Sequence, residues 1–241
     1  MKKFLILFAL IFAIAPMTLR AQGNHEYEPL EEKTINYKDW TFNDLKENKP
    51  VNLRSFVQGK KLVLVVYFAP WCPNWRNEAP GAAALYEKYK DKGLAVIGVS
   101  EYGTRADSLA FFGTDGPPYM VVSESESRDD KEKTTHFTYR KASGDLRRWG
   151  SPYNVFLEPA KLNKSGDVLT EKAWVVNGEL IEADVEKFVR EHLGLDKPAA
   201  TKTSDFKLVT DRDKLMQATK ASDPTQCSPA PSPASTSSKK Q

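Results

Sequence analysis

One thiol, Cys72, stands where the chain could do redox chemistry. It follows an apolar, β-branched run at residues 62–68, which predicts a strand buried on both faces, and it precedes a helical pattern over about residues 74–91. At the start of a helix, free N–H groups and the helix dipole favour an anion, so we expect a lowered thiol pKa and a nucleophilic Cys72. The same placement also suits a small buried hydrophobic residue, as many free cysteines are.

The second of the two cysteines, Cys227, lies in a Pro/Ser-rich tail. Residues 196–241 are rich in Lys, Thr, Ser, Ala and Pro, and they contain too few large apolar residues to offset the entropy of ordering, so we predict that they are largely disordered. A tether of roughly 30 residues could bring Cys227 to many points on the folded part. Two cysteines in such different surroundings exclude a disulfide scaffold.

The N-terminus predicts export. Lys2 and Lys3 precede an unbroken apolar run at residues 4–15, and Pro16 ends that run, which is the layout of a secretory signal peptide over residues 1–21. The run is shorter than the roughly 20 residues that a membrane span needs. The sequence therefore predicts a periplasmic or secreted protein. An uncleaved N-terminal anchor is the alternative, and only in that case do we expect contact with a membrane.

The charge balance argues against nucleic-acid binding. The net charge is +3, but residues 1–21 hold three basic residues and no acidic one. Without them, 32 basic residues face 32 acidic ones, so the mature chain is neutral. A neutral chain lacks the electrostatic footprint of a nucleic-acid-binding protein.

Strand and helix patterns alternate through the middle of the chain. Residues 22–38 are predicted to be an irregular lead-in, and residues 39–195 to be one α/β domain. Strands are predicted at 62–68, 94–99, 119–122, 153–157 and 168–176, and helices at 74–91, 105–112, 131–142 and 183–192.

The stretch around the thiol resembles the thioredoxin-like redoxins, above all the exported thiol-disulfide oxidoreductases. Their usual run is an apolar strand followed by Phe-Trp-Ala-x-Trp-Cys-x-x-Cys-Arg-x-Glu-x-Pro. The matching residues here are Phe68, Ala69, Trp71, Cys72, Arg76, Glu78 and Pro80. The resemblance covers residues 39–193 and implies a thioredoxin fold, with a central mixed sheet flanked by helices and an N-terminal hairpin extension at 40–53. It also implies a cis-proline at Pro152 beside the active cysteine, and no cofactor.

The chain departs from this family at the resolving cysteine, where Trp75 stands. In a dithiol enzyme the second thiol releases the mixed disulfide that the first one forms. Cys72 could therefore begin an exchange with a protein or small-molecule disulfide, but it has no local partner to complete it. Cys227 is one candidate for a distant resolving thiol, although a tail cysteine could equally be incidental or pair between chains.

Two further chemistries would need only one cysteine in the site. An external small thiol or a partner protein could resolve the mixed disulfide. A peroxidase reaction also needs one attacking cysteine, but the related peroxiredoxins place a threonine three residues before it, and Ala69 stands there instead. Peroxidase chemistry is therefore less favoured than thiol-disulfide exchange.

A binding module is the competing class of function. Trp71, Trp75 and Pro152 would form an apolar substrate groove, which could bind peptides or act as a chaperone without any redox cycle. Alternatively, Trp75 packs onto the domain and covers Cys72, which would make the thiol inert. Whether the chain is an enzyme stays open at this point.

The remaining polar residues give weak signals. Arg76 and Glu78 match the family but are compatible with a solvated helix surface, and residues 123–133 read as a solvated loop. His25, His136 and His192 lack metal-ligand spacing and are predicted to lie at the surface. Neither a glycine-rich phosphate loop nor a nucleophile elbow is found, and no metal is predicted.

Overall fold

The computed structural model describes residues 25–196. The predicted signal peptide at 1–21, the tail beyond Asp196 and Cys227 lie outside the described residues. In chain order the strands are β1 (Tyr27–Glu28), β2 (Glu31–Lys38), β3 (Thr41–Asp44), β4 (Pro50–Asn52), β5 (Leu62–Phe68), β6 (Leu94–Ser100), β7 (Met120–Ser123), β8 (Tyr153–Leu157), β9 (Val168–Val176) and β10 (Glu179–Leu180). The helices are α1 (Leu53–Phe56), α2 (Pro73–Tyr89), α3 (Arg105–Phe112), α4 (Thr135–Ser143) and α5 (Glu182–His192).

A mixed sheet organises the described part of the chain. Its eight strands run in the order β2-β9-β8-β5-β6-β7-β3-β4. β5 pairs in parallel with β6 and antiparallel with β8, so it lies at the centre, with both neighbours hydrogen-bonded to it. The central position explains why all seven residues of β5 are buried and why its sequence is continuously apolar.

The two faces of β5 pack into two separate cores. Leu64, Val66 and Phe68 point to one face, where α2, α3 and α5 pack over the sheet. Val65 and Tyr67 point to the other face, which is covered by α1, α4 and the inward side chains of β2. This alternation follows from the two-residue period of a strand. Helices therefore flank both faces of a mixed sheet, which confirms the predicted thioredoxin-like α/β fold.

The N-terminal part differs from its prediction in one respect. Residues 22–38 are predicted to be irregular, but β1 pairs with β10, and β2 pairs along β9 to form the edge strand of the sheet. Burial of Ile35 and Tyr37 in the second core explains why β2 forms, because each contributes a side chain that is almost wholly shielded from water. The expected hairpin is present as β3 and β4.

No helix among residues 25–196 is long and apolar enough to cross a membrane.

Candidate active site around Cys72

Cys72 caps the start of α2. Its backbone is extended (φ −79°, ψ 126°), and Pro73 occupies the first helical turn, where a missing N–H costs nothing. The thiol donates a hydrogen bond to the backbone carbonyl of Ser151 at 3.2 Å, and the residue is 3% exposed. The structure thus places the sulfur at the positive end of a 17-residue helix, as the sequence predicts.

The loop facing Cys72 contains the expected proline. The Ser151–Pro152 peptide bond is cis. The Ser151 hydroxyl accepts a hydrogen bond from the N–H of Ala69 at 2.8 Å, while the Ser151 carbonyl accepts from Cys72. Ser151 therefore ties the proline loop to both the end of β5 and the thiol. Pro152 itself is buried.

An ion-pair network contacts the proline loop and supports it. Asp145 accepts hydrogen bonds from Arg147 at 2.8 and 3.0 Å and from Arg140 at 3.0 Å. Burial raises the pKa of Asp145, but the hydrogen bonds and charges of the two arginines outweigh it, and the pKa lies below its usual range. Arg147 also donates to the Pro152 carbonyl at 2.9 Å. The network therefore holds the backbone at the carbonyl that follows the cis bond.

His136 lies in α4 and supports the same loop, so it is not the surface residue predicted from the sequence. It is fully buried and stacks on Tyr67, with the ring centroids 5.2 Å apart. Burial, with the nearby Arg140 charge, lowers the pKa of His136 well below its usual value, so the ring is neutral. Its Nε2 donates to the Gly150 carbonyl at 3.1 Å, since that oxygen can only accept, and Nδ1 then accepts from the Tyr102 hydroxyl at 3.0 Å.

Trp75 does not line an accessible groove. Its side chain is 0% exposed and stacks on Phe68, with the ring centroids 4.4 Å apart, and it lies 5.6 Å from the Phe111 ring. The indole N–H has no hydrogen-bond partner. The position that carries the resolving cysteine in the resembling family is therefore filled by core packing here, and of the three expected groove residues only Trp71 reaches the surface.

Glu78 is buried in α2, against the expectation of a solvated side chain. One carboxylate oxygen accepts from the Leu180 N–H at 2.8 Å and from the Asn154 amide at 3.2 Å, and the other has no partner. Burial raises the pKa of Glu78 to about 8. At neutral pH the carboxyl group is therefore mostly protonated.

Trp71 belongs to an aromatic and cationic cluster at the surface beside the thiol. Its indole N–H donates to the Tyr102 carbonyl at 2.9 Å, and its ring meets Trp149 edge-on at 5.3 Å between centroids. Arg128 lies over Trp71, 4.0 Å from the ring centroid. Residues 123–133, expected to be a solvated loop, thus include a 3₁₀ helix (Arg128–Lys133) that packs against the site.

Sequence reasoning missed the residues that position the proline loop. A charged stretch typical of a protein surface contains Arg140, Asp145 and Arg147. The spacing of these residues does not predict that they form a buried network. Gly150 offered a signal, since it immediately precedes the Ser-Pro pair. It adopts φ +57°, and a Cβ there would lie 1.7 Å from Arg140 Nε.

The sequence around this site is similar to that of a known protein family. The sequence profile of the AhpC/TSA family matches residues 36–138. That stretch includes β2 through the start of α4 and contains Cys72. This match agrees with the resemblance to the thioredoxin-like redoxins, and the described part of the chain has a thioredoxin-like α/β fold.

Among curated proteins, Protein DipZ from Mycobacterium bovis and Protein DipZ from Mycobacterium tuberculosis are each 46% identical to this chain over 52 residues. The match covers 22% of this chain and 7% of either relative. The chain therefore matches only a small part of those longer proteins.

Three solved structures are also similar to this chain, each with a TM-score below 0.5. A thiol:disulfide interchange protein from Bacteroides sp. is 24% identical with a TM-score of 0.49, covering 70% of this chain and 94% of its own. The thioredoxin domain of a thiol-disulfide oxidoreductase from Bacteroides vulgatus is 25% identical with a TM-score of 0.45, covering 67% and 99%. A secreted disulfide oxidoreductase from Mycobacterium tuberculosis is 14% identical with a TM-score of 0.42, covering 64% and 94%.

Proposed function

We propose that the chain is an exported protein that performs thiol-disulfide exchange through one cysteine, Cys72. The observation that carries the proposal is the position of the sulfur, at the N-terminus of α2 and 3.2 Å from the carbonyl of a residue that enters a cis-proline bond. The helix terminus stabilises a thiolate there. The AhpC/TSA match and the interchange proteins among the similar structures support a redox role.

The first step is an attack on a disulfide of a protein or small molecule. The Cys72 thiol loses its proton to solvent and gives up its hydrogen bond to the Ser151 carbonyl. The thiolate then attacks one sulfur of the substrate, a Cys72–substrate disulfide forms, and the second substrate sulfur leaves as a thiolate. Atoms and electrons balance, because one disulfide is exchanged for another.

The second step requires a thiol from elsewhere. Trp75 fills the core where a local resolving thiol would stand, so an external thiol must attack the mixed disulfide and regenerate Cys72. Cys227 is a second source, carried on the tail. Peptide mapping without reductant after mild oxidation tests that source: a Cys72–Cys227 peptide supports it, and free thiols or intermolecular dimers alone count against it.

A non-catalytic peptide-binding or chaperone-like module is the second candidate function. It is favoured by one observation, the 3% exposure of Cys72, since a disulfide can reach the sulfur only when neighbouring side chains move. Alkylation kinetics of Cys72 across a pH series, in a Cys227→Ser background, separate the two functions. Rapid labelling below the pH at which a free cysteine reacts supports exchange, and slow labelling throughout supports the binding module.

The activity itself is tested by insulin reduction with dithiothreitol as the external thiol. We expect the Cys227→Ser protein to accelerate the reaction and the Cys72→Ser, Cys227→Ser protein to leave it at the uncatalysed rate. Equal rates for the two proteins would refute the enzymatic proposal.

Export is tested separately. N-terminal sequencing of the protein recovered from the extracytoplasmic fraction should begin near residue 22 if the predicted signal peptide is removed. Recovery of the intact N-terminus in the membrane fraction would instead support the uncleaved anchor.

A further inference from the structure

We infer that Cys72 exchanges preferentially with thiols and disulfides that carry carboxylates next to the reacting sulfur, and that the surface around Trp71 and Trp149 binds those carboxylates. This inference rests on the proposed exchange function and names the substrate class of the same site. The observation behind it is a group of cations gathered on two indole rings that flank the thiol.

The two rings stand on the two chain segments that hold the sulfur. Trp71 immediately precedes Cys72, and Trp149 lies two residues before Ser151, whose carbonyl accepts the thiol hydrogen bond. The rings meet edge-on, 5.3 Å apart between centroids. Both indoles are partly exposed. A substrate whose sulfur reaches Cys72 therefore places its neighbouring groups beside these rings.

Three cations converge on this aromatic pair. Arg128 lies 4.0 Å from the Trp71 ring centroid and 5.8 Å from that of Trp149. Lys131 and Arg148 lie 5.4 and 5.6 Å from the Trp149 centroid. Each contact is a cation–π interaction, in which the charge lies over the face of an indole ring.

The cations also act on each other. Burial, followed by the positive charges of Arg140 and Arg148, lowers the pKa of Lys131, and the neighbouring Glu132 offsets this only in part. Crowding of like charges is relieved when an anion binds between them. Of the three acids of the same 3₁₀ helix, Asp130 pairs with Lys133 at 2.8 Å, and Asp129 and Glu132 are exposed.

These features fit an anionic substrate better than a neutral or cationic one. A carboxylate near the reacting sulfur would meet Arg128, Lys131 and Arg148, and the apolar stem of the substrate would lie on the indoles. A cationic substrate would be repelled by the same three charges. The exchange step is unchanged: Cys72 takes one sulfur of the anionic disulfide, and the other leaves as a thiolate.

The test compares two small aromatic disulfides with Cys72 in the Cys227→Ser protein. One is 5,5′-dithiobis(2-nitrobenzoate), which carries two carboxylates, and the other is 4,4′-dithiodipyridine, which is neutral at pH 7. The measured quantity is the ratio of the two rate constants at low salt. A change in access to the sulfur affects both reagents, so the ratio isolates the effect of charge.

We expect Arg128→Gln to lower the ratio by roughly two- to fivefold, as expected for one charge near the substrate in water. The triple variant Arg128→Gln, Lys131→Gln, Arg148→Gln should lower it further, and high salt should lower it in the parent protein. Lys133→Gln is the matched control, because it removes one charge from the same 3₁₀ helix but pairs with Asp130, and it should leave the ratio unchanged. An equal ratio in the parent and the triple variant would overturn the inference.

A binding measurement separates this inference from the exchange function. Tryptophan fluorescence of the Cys72→Ser, Cys227→Ser protein is titrated with 4-nitrobenzoate and with its neutral analogue 4-nitrobenzamide. Tighter binding of the anion, lost in the triple variant, supports the inference even if Cys72 reacts with neither disulfide. Failure of Cys72 to react would refute the proposed exchange, and equal binding of anion and amide would refute the carboxylate preference.

Discussion

Cys72 and Trp75 stand three residues apart at the start of one helix, yet their surroundings are opposite. Cys72 faces a polar loop, hydrogen-bonds to the Ser151 carbonyl and has cations on the neighbouring indoles. Trp75 points into the core and stacks on Phe68, with its N–H unpartnered. In the first turn of α2, Cys72 therefore lies against a polar loop, whereas Trp75 takes the position of the second cysteine of the resembling family and packs in the core. Under the proposed exchange, one substitution separates the step that forms the mixed disulfide from the step that releases it.

We expect the largest effect on stability from removing the buried side chain of Trp75. Trp75→Ala should lower the free energy of unfolding by about 3–5 kcal/mol, because it leaves a large cavity between Phe68 and Phe111. Trp75→Phe is the matched control and should cost less, since the aromatic stack remains and the indole N–H makes no hydrogen bond to lose. Urea unfolding measures both. A cost below about 1 kcal/mol for the alanine variant would show that Trp75 is not a core residue.

Gly150→Ala tests the contribution of the proline loop that faces Cys72. At φ +57° the new Cβ would overlap Arg140, so we expect a loss of about 2–4 kcal/mol together with faster alkylation of Cys72, because the loop that buries the sulfur must shift. Gly144→Ala is the control: it has φ +84° but open space around a Cβ, and it should cost about 1 kcal/mol and leave alkylation unchanged. Equal effects of the two substitutions would contradict the role of the Arg140 contact.

The raised pKa of Glu78, one turn further along α2, predicts that the free energy of unfolding depends on pH. Its pKa rises from 4.5 to about 8 on folding, so the folded state binds more protons than the unfolded state between those values. The contribution of Glu78 is fully present below about pH 4.5 and is lost as the pH rises through 8, with a slope of at most about 1.4 kcal/mol per pH unit.

Glu78→Gln should remove that slope, because the amide imitates the protonated acid toward Leu180 and Asn154. Glu87→Gln, on the exposed side of the same helix, is the control and should keep it. The measurement is the free energy of unfolding from pH 5 to 8. The same slope in Glu78→Gln and the parent protein would show that the carboxyl is ionised when buried.

The sequence predicts those features that leave a local pattern. The central strand β5 and the helix start at Cys72 are readable, since a buried strand and a helix terminus each have a characteristic composition. The cis bond at Pro152 is expected from the family resemblance alone. The sequence also shows that Trp75 replaces the resolving cysteine, but it leaves open whether the indole lines a groove or packs onto the domain.

The tertiary partners of charged residues are not readable in this way. Glu78 and His136 have sequence neighbours typical of a surface, and each is buried because residues far along the chain supply its hydrogen bonds. Asp145 is buried with the nearby Arg140 and Arg147 as its partners, and the sequence does not show that this charged stretch folds inward. Residues 22–38 were predicted to be irregular for a similar reason. The edge of β9 gives β2 its backbone hydrogen bonds, and this pairing joins segments more than a hundred residues apart.

The central claim, that Cys72 begins an exchange it cannot complete, is tested most directly in a single turnover. The Cys227→Ser protein is mixed with an excess of a small disulfide, the excess is removed, and intact mass is followed before and after an external thiol is added. We expect one adduct at Cys72 that persists until the thiol arrives and then disappears. Release of the adduct without an added thiol, or no adduct at Cys72 at all, would contradict the claim.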